Sequence, residues 1–352
     1  MKNTSMFPSP LQEEWWCQLK NVITNLSELL AFLELTHHTD LIVQHSAKDM
    51  FPLRVPRSFA ARMRKGDPQD PLLLQVLISR QEFIDVAGYE LDPLHEKRSA
   101  FFGILHKYHN RALFLVKGHC AIHCRYCFRR HFPYQEHKGN KQTWRKAIQY
   151  IKQQNHLDEV ILSGGDPLLA TDYELDWLFS QFEEIPHLKR LRIHSRLLVV
   201  IPQRITKTLC QRLKSSRLQV LIVTHINHMQ EINEDLRHRI YMLKCADVTV
   251  LNQSVLLRHI NDNAVTLAEL SNALFDAGIL PYYLHVLDKV QGAAHFYISD
   301  DQARFIFRDF ITMVSGYMVP KLVREISGEL SKTSIDLYMC LSIDKENMKN
   351  AQ

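Results

Sequence analysis

Long apolar runs are missing from this sequence. No run reaches the roughly 18 residues needed to span a bilayer, and the longest, such as residues 197–201, have the length of a core strand. The first residues, Met-Lys-Asn-Thr-Ser, are not followed by the apolar segment of a secretory signal. These absences predict a cytoplasmic protein that neither spans a membrane nor has a membrane as its partner.

An excess of charge of one sign is missing as well. Lys and Arg total 43 and Asp and Glu total 38, which leaves a formal charge of +5. A nucleic-acid-binding surface usually shows a stronger and more segregated basic bias, so we predict no nucleic-acid partner. The hydrophobic share of 46% and the charged share of 23% are those of an ordinary folded chain. Its 352 residues correspond to one large or two modest domains.

The hydrophobic periodicity changes along the chain. Residues 1–100 combine apolar positions at helical spacing with proline-rich turns, which predicts an N-terminal helical region. Within residues 101–315, short β-rich runs alternate with helical patterns, which predicts an α/β fold whose parallel sheet is open or curled toward a barrel. The predicted strands are 112–116, 159–162, 191–194, 218–224, 248–252 and 280–287, and the predicted helices are 141–154, 172–183, 206–214, 230–245 and 265–277. In such folds the chemistry belongs at the carboxyl ends of the strands.

The cysteines fall into two groups. Four of the seven are scattered without evident spacing, at Cys17, Cys210, Cys245 and Cys340. The other three, Cys120, Cys124 and Cys127, form a C-x3-C-x2-C triplet directly after the first predicted strand. This density suits metal binding better than disulfide bracing. A four-iron cluster normally takes four thiolates, so three of them leave one iron open for a small molecule.

A structural zinc site is the alternative for this triplet. His119, His123 or His131 could complete a Cys3His set, and the protein would then be an interaction module without catalytic activity. Zinc pairs are typically C-x2-C with a second pair at a distance, and this sequence has no second pair. The spacing therefore favours the iron–sulfur cluster over zinc.

Several separate motifs resemble one family. They are Asn-Arg111-Ala-Leu-Phe-Leu-Val, Cys124-Arg-Tyr-Cys127-Phe-Arg129-Arg, Leu-Ser163-Gly-Gly-Asp166-Pro-Leu-Leu, Ile-Pro-Gln-Arg-Ile-Thr206, Asn-Gln253-Ser-Val-Leu-Leu-Arg258 and Ser-Lys332-Thr. Together they resemble the lysine 2,3-aminomutases, which are radical S-adenosylmethionine (SAM) enzymes. The chain is most similar to the short branch that makes (R)-β-lysine for elongation factor P. The resemblance implies a partial (β/α)6 barrel at 101–315, a C-terminal segment at 316–352 that carries the pyridoxal phosphate lysine, and three cofactors: a 4Fe-4S cluster, SAM and pyridoxal 5′-phosphate.

The resemblance also implies which residues hold the cofactors. Cys120, Cys124 and Cys127 match the cluster ligands, and Lys332 matches the lysine that carries pyridoxal phosphate covalently. The positions that match SAM contacts are Ser163, Gly164, Gly165, Asp166, His225 and Gln253, and those that match phosphate contacts are Lys107 and Arg111. Without the family, Ser163 to Asp166 would be interpreted as a plain βα turn, and Lys332 as a solvated surface lysine.

The implied substrate is free L-lysine. Arg129 matches the arginine that binds its α-carboxylate, and Asp288 matches one of two aspartates that bind its ε-ammonium. This chain departs from the family in having Glu325 at the second acidic position, lysine at Lys107 where arginine is more frequent, and Gly328 alone where a glycine-rich run precedes the lysine. Read alone, either acid would be an exposed surface carboxylate.

The resemblance implies an isomerase that moves the amino group of L-lysine from carbon 2 to carbon 3. It further implies an external electron donor and a functional link to elongation factor P and its lysine ligase. Alternatives are an aminomutase for another amino acid such as glutamate, or a radical enzyme without pyridoxal phosphate. Two acids at Asp288 and Glu325 would repel a side-chain carboxylate, which disfavours glutamate.

Overall fold

The computed structural model describes residues 14–38, 41, 51–96, 103–133 and 140–337. These residues form one mixed sheet of nine strands that lie side by side in sequence order. Strands β2 to β8 are parallel, and the short β1 and β9 pair antiparallel at the two edges. The strands are β1 Ile104–Leu105, β2 Arg111–Lys117, β3 Glu159–Gly164, β4 Arg190–Ser195, β5 Gln219–Thr224, β6 Thr249–Leu256, β7 Leu280–Val286, β8 Lys321–Arg324 and β9 Thr333–Ser334.

Helices connect the parallel strands and also build the N-terminal region. The N-terminal ones are α1 Glu14–Lys20, α2 Leu26–Phe32, α3 Arg57–Ala60 and α4 Pro71–Leu74; the later ones are α5 Lys141–Gln153, α6 Asp172–Glu183, α7 Leu197–Val200, α8 Lys207–Lys214, α9 Glu234–Cys245, α10 Ala264–Asp276 and α11 Asp300–Ile311. The longer barrel helices begin at Asn, Thr or Ser caps whose side chains accept a backbone N–H of the first turn. None of the described helices combines the length and apolar character of a membrane-spanning helix.

All six predicted strands and all five predicted helices are confirmed, with bounds that shift by up to four residues. The structure adds a seventh parallel strand, β8, and the helix α11 before it, neither of which the sequence analysis predicts. The α/β fold with a partial barrel is therefore confirmed, and β8 places Glu325 directly after a parallel strand. The division into domains at residues 100 and 315 stays a prediction, and Cys340 lies outside the described residues.

The sheet is strongly curved. Four strand positions separate β4 from β8, which corresponds to about 19 Å in a flat sheet at ~4.8 Å per strand. The charge of Lys332, just before β9, nevertheless acts on the imidazole of His194 in β4. One hydrophobic core joins N-terminal residues such as Trp15 and Phe59 to the strands and helices of the barrel. The N-terminal helices therefore pack on the barrel.

Candidate active site

Most of the predicted site residues lie at or beyond the carboxyl ends of the parallel strands, whereas Arg111 begins β2 and Lys107 precedes it. The cysteine loop follows β2, the Gly-Gly pair ends β3, His225 follows β5, Gln253 lies in β6, and Asp288 follows β7. Glu325 follows β8, and Lys332 stands before β9. Because parallel strands end at one edge of a sheet, the fold brings residues separated by more than 200 positions to the same mouth of the barrel.

The three cysteines share a compact loop. The N–H of Cys127 donates to the carbonyl of Cys124 at 3.0 Å, which turns the chain between two of the thiols. Burial raises the pKa of the Cys120 thiol well above its usual range, and Asp166 and the other two thiols add to that shift. Burial and Cys124 raise the pKa of Cys127 to about 11. Ionising these thiols together is unfavourable without a compensating positive charge, and the iron ions of a cluster would supply that charge.

Two of the three histidines of the zinc alternative have other contacts. Nδ1 of His123 lies 2.8 Å from the carbonyl oxygen of Pro52, and its ring stacks on Phe51. Nε2 of His131 lies 3.2 Å from the carbonyl oxygen of Gln291. Within the described ranges, no three His, Cys, Asp or Glu side chains converge on the position of a single ion. A four-iron cluster makes no such demand, because its cysteines bind different irons.

The two glycines at the end of β3 lie against the chain that enters the cysteine loop. Gly164 has φ +119°, and a Cβ added there would lie 2.5 Å from the carbonyl oxygen of Lys117. A Cβ on Gly165 would lie 2.2 Å from the carbonyl oxygen of His119. The N–H of Gly165 donates to Lys117 at 2.7 Å, and that of Asp166 donates to His119 at 2.9 Å. Only glycine permits this approach, which fixes where the cysteine loop begins.

Asp166 is buried, and both oxygens of its carboxylate have protein partners. Oδ1 accepts from Ser195 Oγ at 2.8 Å and from the N–H of Leu168 at 3.1 Å. Oδ2 accepts from the N–H groups of Arg196 and Leu197, each at 2.8 Å. The structure therefore does not bring this carboxylate to an open position of the site, and we interpret Asp166 as a residue that holds the loops together.

His225 and Gln253, which are both predicted to contact SAM, lie next to each other. Their Nε2 atoms are 3.4 Å apart, although the residues are 28 positions apart in the chain. Burial, with contributions from Arg196 and Arg129, lowers the pKa of His225 to about 3. The imidazole is therefore neutral at physiological pH and can both donate and accept a hydrogen bond.

Lys332 lies in a polar cluster and is not a solvated surface residue. Its ammonium forms an ion pair with Glu325 and lies 5.6 Å from the centre of the Tyr283 ring. The hydroxyl of Tyr108 donates to Glu325 at 2.8 Å. Burial opposes ionisation of Glu325, but Lys332 and Tyr108 outweigh it and keep its pKa below the usual value. The predicted lysine and one predicted acid are therefore in direct contact.

The predicted anion-binding residues Arg111 and Arg129 each contact another side chain of the predicted site or its surroundings. The guanidinium of Arg111 stacks on the Tyr108 ring at 4.0 Å. Arg129 donates through Nη1 to Ser163 Oγ at 3.1 Å, which links the predicted substrate and SAM residues. Asp288, the other predicted acid, has a raised pKa of about 7. Burial contributes most to this increase and the nearby Glu325 and Glu96 add to it, whereas the charge of Lys332 opposes it. The ionised form of Asp288 is therefore less well compensated than that of Glu325, whose pKa is lowered.

Sequence comparisons identify the family. A model of the Radical SAM superfamily matches residues 115–248. The L-lysine 2,3-aminomutase of Escherichia coli is 60% identical over 94% of this chain and 97% of its own length. Those of Buchnera aphidicola and Haemophilus influenzae are each 53% identical, over 93% and 92% of this chain and 97% and 95% of their own lengths. This chain belongs to the lysine 2,3-aminomutase family.

Membership of the lysine 2,3-aminomutase family implies an iron–sulfur cluster, SAM and pyridoxal phosphate, as predicted. Two observations on this chain fit these groups. The cysteine loop offers three partly buried thiols, and two of the three nearby histidines, His123 and His131, lie against backbone carbonyl oxygens. Around Lys332, buried Nε2 atoms of His194 and His285 have no hydrogen-bond partner among the described residues. Buried polar atoms are normally paired, and a polar cofactor carried on Lys332 would supply partners.

The aminomutase site also contains residues that sequence reasoning missed. Burial, followed by the neighbouring His225 and the cations Arg192 and Lys332, holds the pKa of His194 well below its usual range. Burial and Lys332 do the same for His285. Strand alternation could have identified His285, because it lies two positions from Tyr283 and so on the same face of β7. Arg196 was missed as well, although its Nη1 donates to Cys124 Sγ at 2.8 Å.

Replacing Gly165 by alanine tests the close approach at the cysteine loop. The added Cβ would overlap the backbone of His119, so we expect the free energy of unfolding to fall by about 3 kcal/mol and the iron content to drop. Gly316→Ala is the matched control, because no atom lies within 4 Å of its added Cβ. Chemical denaturation and iron analysis of both variants measure the effect. Equal stability and iron content in the two variants would contradict this role of Gly165.

Proposed function

We propose that this protein is an isomerase that converts L-lysine to (R)-β-lysine and receives electrons from an external donor. One observation carries the choice of substrate: two carboxylates, Asp288 and Glu325, lie beside Lys332, and Asp288 needs a cation. The ε-ammonium of lysine supplies that cation. A glutamate side chain in the same place would add a third carboxylate to a buried site.

The residues divide the substrate between them. Arg129 binds the α-carboxylate, because a guanidinium offers paired N–H donors to a carboxylate. Asp288 and Glu325 bind the ε-ammonium at the far end of the molecule. In the structure Glu325 is paired with the ammonium of Lys332. When Lys332 carries pyridoxal phosphate, Glu325 loses that partner and pairs with the ammonium of the substrate instead. Binding both ends of lysine fixes carbons 2 and 3 in between.

The cofactors supply the bond-breaking chemistry: the cluster and SAM provide a radical that abstracts hydrogen, and pyridoxal phosphate provides the π-system on which the nitrogen moves. Cys120, Cys124 and Cys127 hold the cluster, Arg111 and Lys107 bind the phosphate, and Lys332 carries the pyridoxal ring. Ser163, Gly164, His225 and Gln253 line the place of SAM.

Anaerobic assay of the reconstituted protein tests this proposal. We expect L-lysine, SAM and a low-potential reductant to give β-lysine, identified by chromatography against both enantiomers and by mass spectrometry. Iron, sulfide and pyridoxal phosphate should each be present in the active protein. Turnover of glutamate in preference to lysine, or a protein with zinc and neither iron nor sulfide, would contradict the proposal.

We also propose that the (R)-β-lysine serves the ligase that modifies elongation factor P, and that the protein is cytoplasmic. The motif resemblance to the short branch supports the first point. The second follows from the three free cluster thiols, which need a reducing compartment. Incubating the enzyme, the ligase and elongation factor P together should add β-lysine to the factor, whereas omitting the aminomutase should not.

The pH dependence of lysine binding tests Asp288. Its pKa of about 7 in the free protein means that it is protonated at pH 6 and ionised at pH 8. The ε-ammonium stays charged across this range, so kcat/KM for lysine should rise about tenfold from pH 6 to pH 8. Asp288→Asn should lower kcat/KM and remove this rise. A flat wild-type profile between these pH values would show that Asp288 does not bind the ammonium.

A further inference from the structure

Glu96 is a buried carboxylate that lies between two of the proposed ligand-binding residues. Only 4% of it is exposed. Its Oε2 accepts from Arg129 Nε at 2.6 Å, and its Oε1 accepts from both Arg129 Nη2 and Lys107 Nζ at 3.1 Å. One carboxylate group therefore joins the residue proposed to bind the α-carboxylate of lysine to a residue proposed to bind the cofactor phosphate.

The chain around Glu96 is attached to the barrel at several points. We call residues 90–96 the strap. At its start, Glu90 forms a bridge with Val290, in the loop that carries Asp288. Near its end, His95 Nδ1 lies 2.9 Å from the hydroxyl of Ser327, in the segment that leads to Lys332. The strap therefore holds Glu96 at a defined position over the barrel mouth.

The geometry leaves Arg129 able to bind a ligand while Glu96 holds it. Glu96 occupies the Nε and Nη2 side of the guanidinium, and Nη1 contacts Ser163. The edge of the guanidinium between Nη1 and Nη2 therefore faces away from Glu96, and it is the edge that we assign to the substrate carboxylate. Without Glu96, two cations in a largely buried site would repel each other, and each would lose the partner that fixes its side chain.

We propose that Glu96 is a positioning residue that fixes Arg129 and Lys107 relative to each other. Binding of the substrate carboxylate and binding of the cofactor phosphate then both depend on Glu96. This inference rests on the proposed function, because it uses the roles assigned there to Arg129 and Lys107. It adds a residue that contacts neither ligand directly and acts on both.

Glu96→Gln tests the inference, because glutamine keeps the size of the side chain and removes its charge. In protein that contains the reconstituted cluster but no pyridoxal phosphate, we expect the added cofactor, titrated by absorbance, to bind about 10- to 100-fold more weakly. In the holoenzyme, lysine binding, titrated by calorimetry, should lose a similar factor. Lysinamide lacks the carboxylate and should bind the wild type more weakly than lysine does. Because it does not use the carboxylate site, Glu96→Gln should change its affinity little. Glu96→Asp keeps the charge and should recover part of both losses. Iron and sulfide contents should match the wild type.

Asp172→Asn is the matched control, since it also removes a buried carboxylate from an ion pair, with Arg204 at 2.8 Å, outside the site. The proposal would be overturned if both variants lost the same stability and Glu96→Gln bound both ligands as the wild type does. Glu96 would then have a structural role only. Tighter lysine binding in Glu96→Gln would overturn it too, because Glu96 would then compete with substrate. If the wild type bound no lysine, the proposed function would fail, while the phosphate titration would still test Glu96.

Discussion

Replacing Cys124 by alanine should abolish turnover, with a loss of about four orders of magnitude or more. Two remaining thiols cannot hold a four-iron cluster in the way three do, so iron and sulfide should fall well below the wild-type content. The variant also removes the sulfur to which Arg196 donates at 2.8 Å. Anaerobic reconstitution followed by iron and sulfide analysis, the visible absorbance of the cluster and the β-lysine assay measure these effects.

Cys210→Ala is the control for this experiment. Cys210 is another free cysteine, and it is buried in α8, outside the cysteine loop. Removing its sulfur should cost about 1 kcal/mol of stability and leave iron content and turnover intact. A Cys124→Ala protein with full iron content and activity would show that the cluster is not held by the predicted triplet.

Local signals explain why the barrel could be predicted. Helix α6 combines an apolar face with a capping box, in which Thr171 and Glu174 bond each other's backbone N–H groups. Such signals lie within a few residues and are legible in one sequence. Strand β8 has only four residues, and its strand character comes from pairing with β7 and β9. That pairing depends on the tertiary structure, and the hydrophobic periodicity of the sequence does not reveal it.

The same distinction applies to the site. The cysteine triplet and the Gly-Gly pair are contiguous, and the family resemblance supplied Lys332, Asp288 and Glu325. The partners of these residues were not predicted. Glu96 meets Arg129 across 33 positions of chain, and Asp166 has its oxygens filled by residues near position 195. Which loops meet at the barrel mouth depends on strand order and curvature, so these contacts require the structure.

Replacing Lys332 by alanine should remove covalently held pyridoxal phosphate and lower turnover by about four orders of magnitude. The amine at this position is the only proposed covalent attachment for the cofactor, while the cluster loop lies on other strands. The variant should therefore lose the pyridoxal absorbance after gel filtration and keep the iron and sulfide of the wild type. Absorbance spectra and metal analysis of the same sample measure both results.

Lys321→Ala is the matched control, because Lys321 is an exposed lysine in β8, a few residues before Glu325. It should keep the cofactor, the cluster and the activity. The Lys332 variant also deprives Glu325 of its cation, so its carboxylate keeps only the hydrogen bond from Tyr108. Free lysine should therefore still bind through Asp288, Glu325 and Arg129 without being turned over. A Lys332→Ala protein with wild-type activity would remove the basis for pyridoxal chemistry at this site.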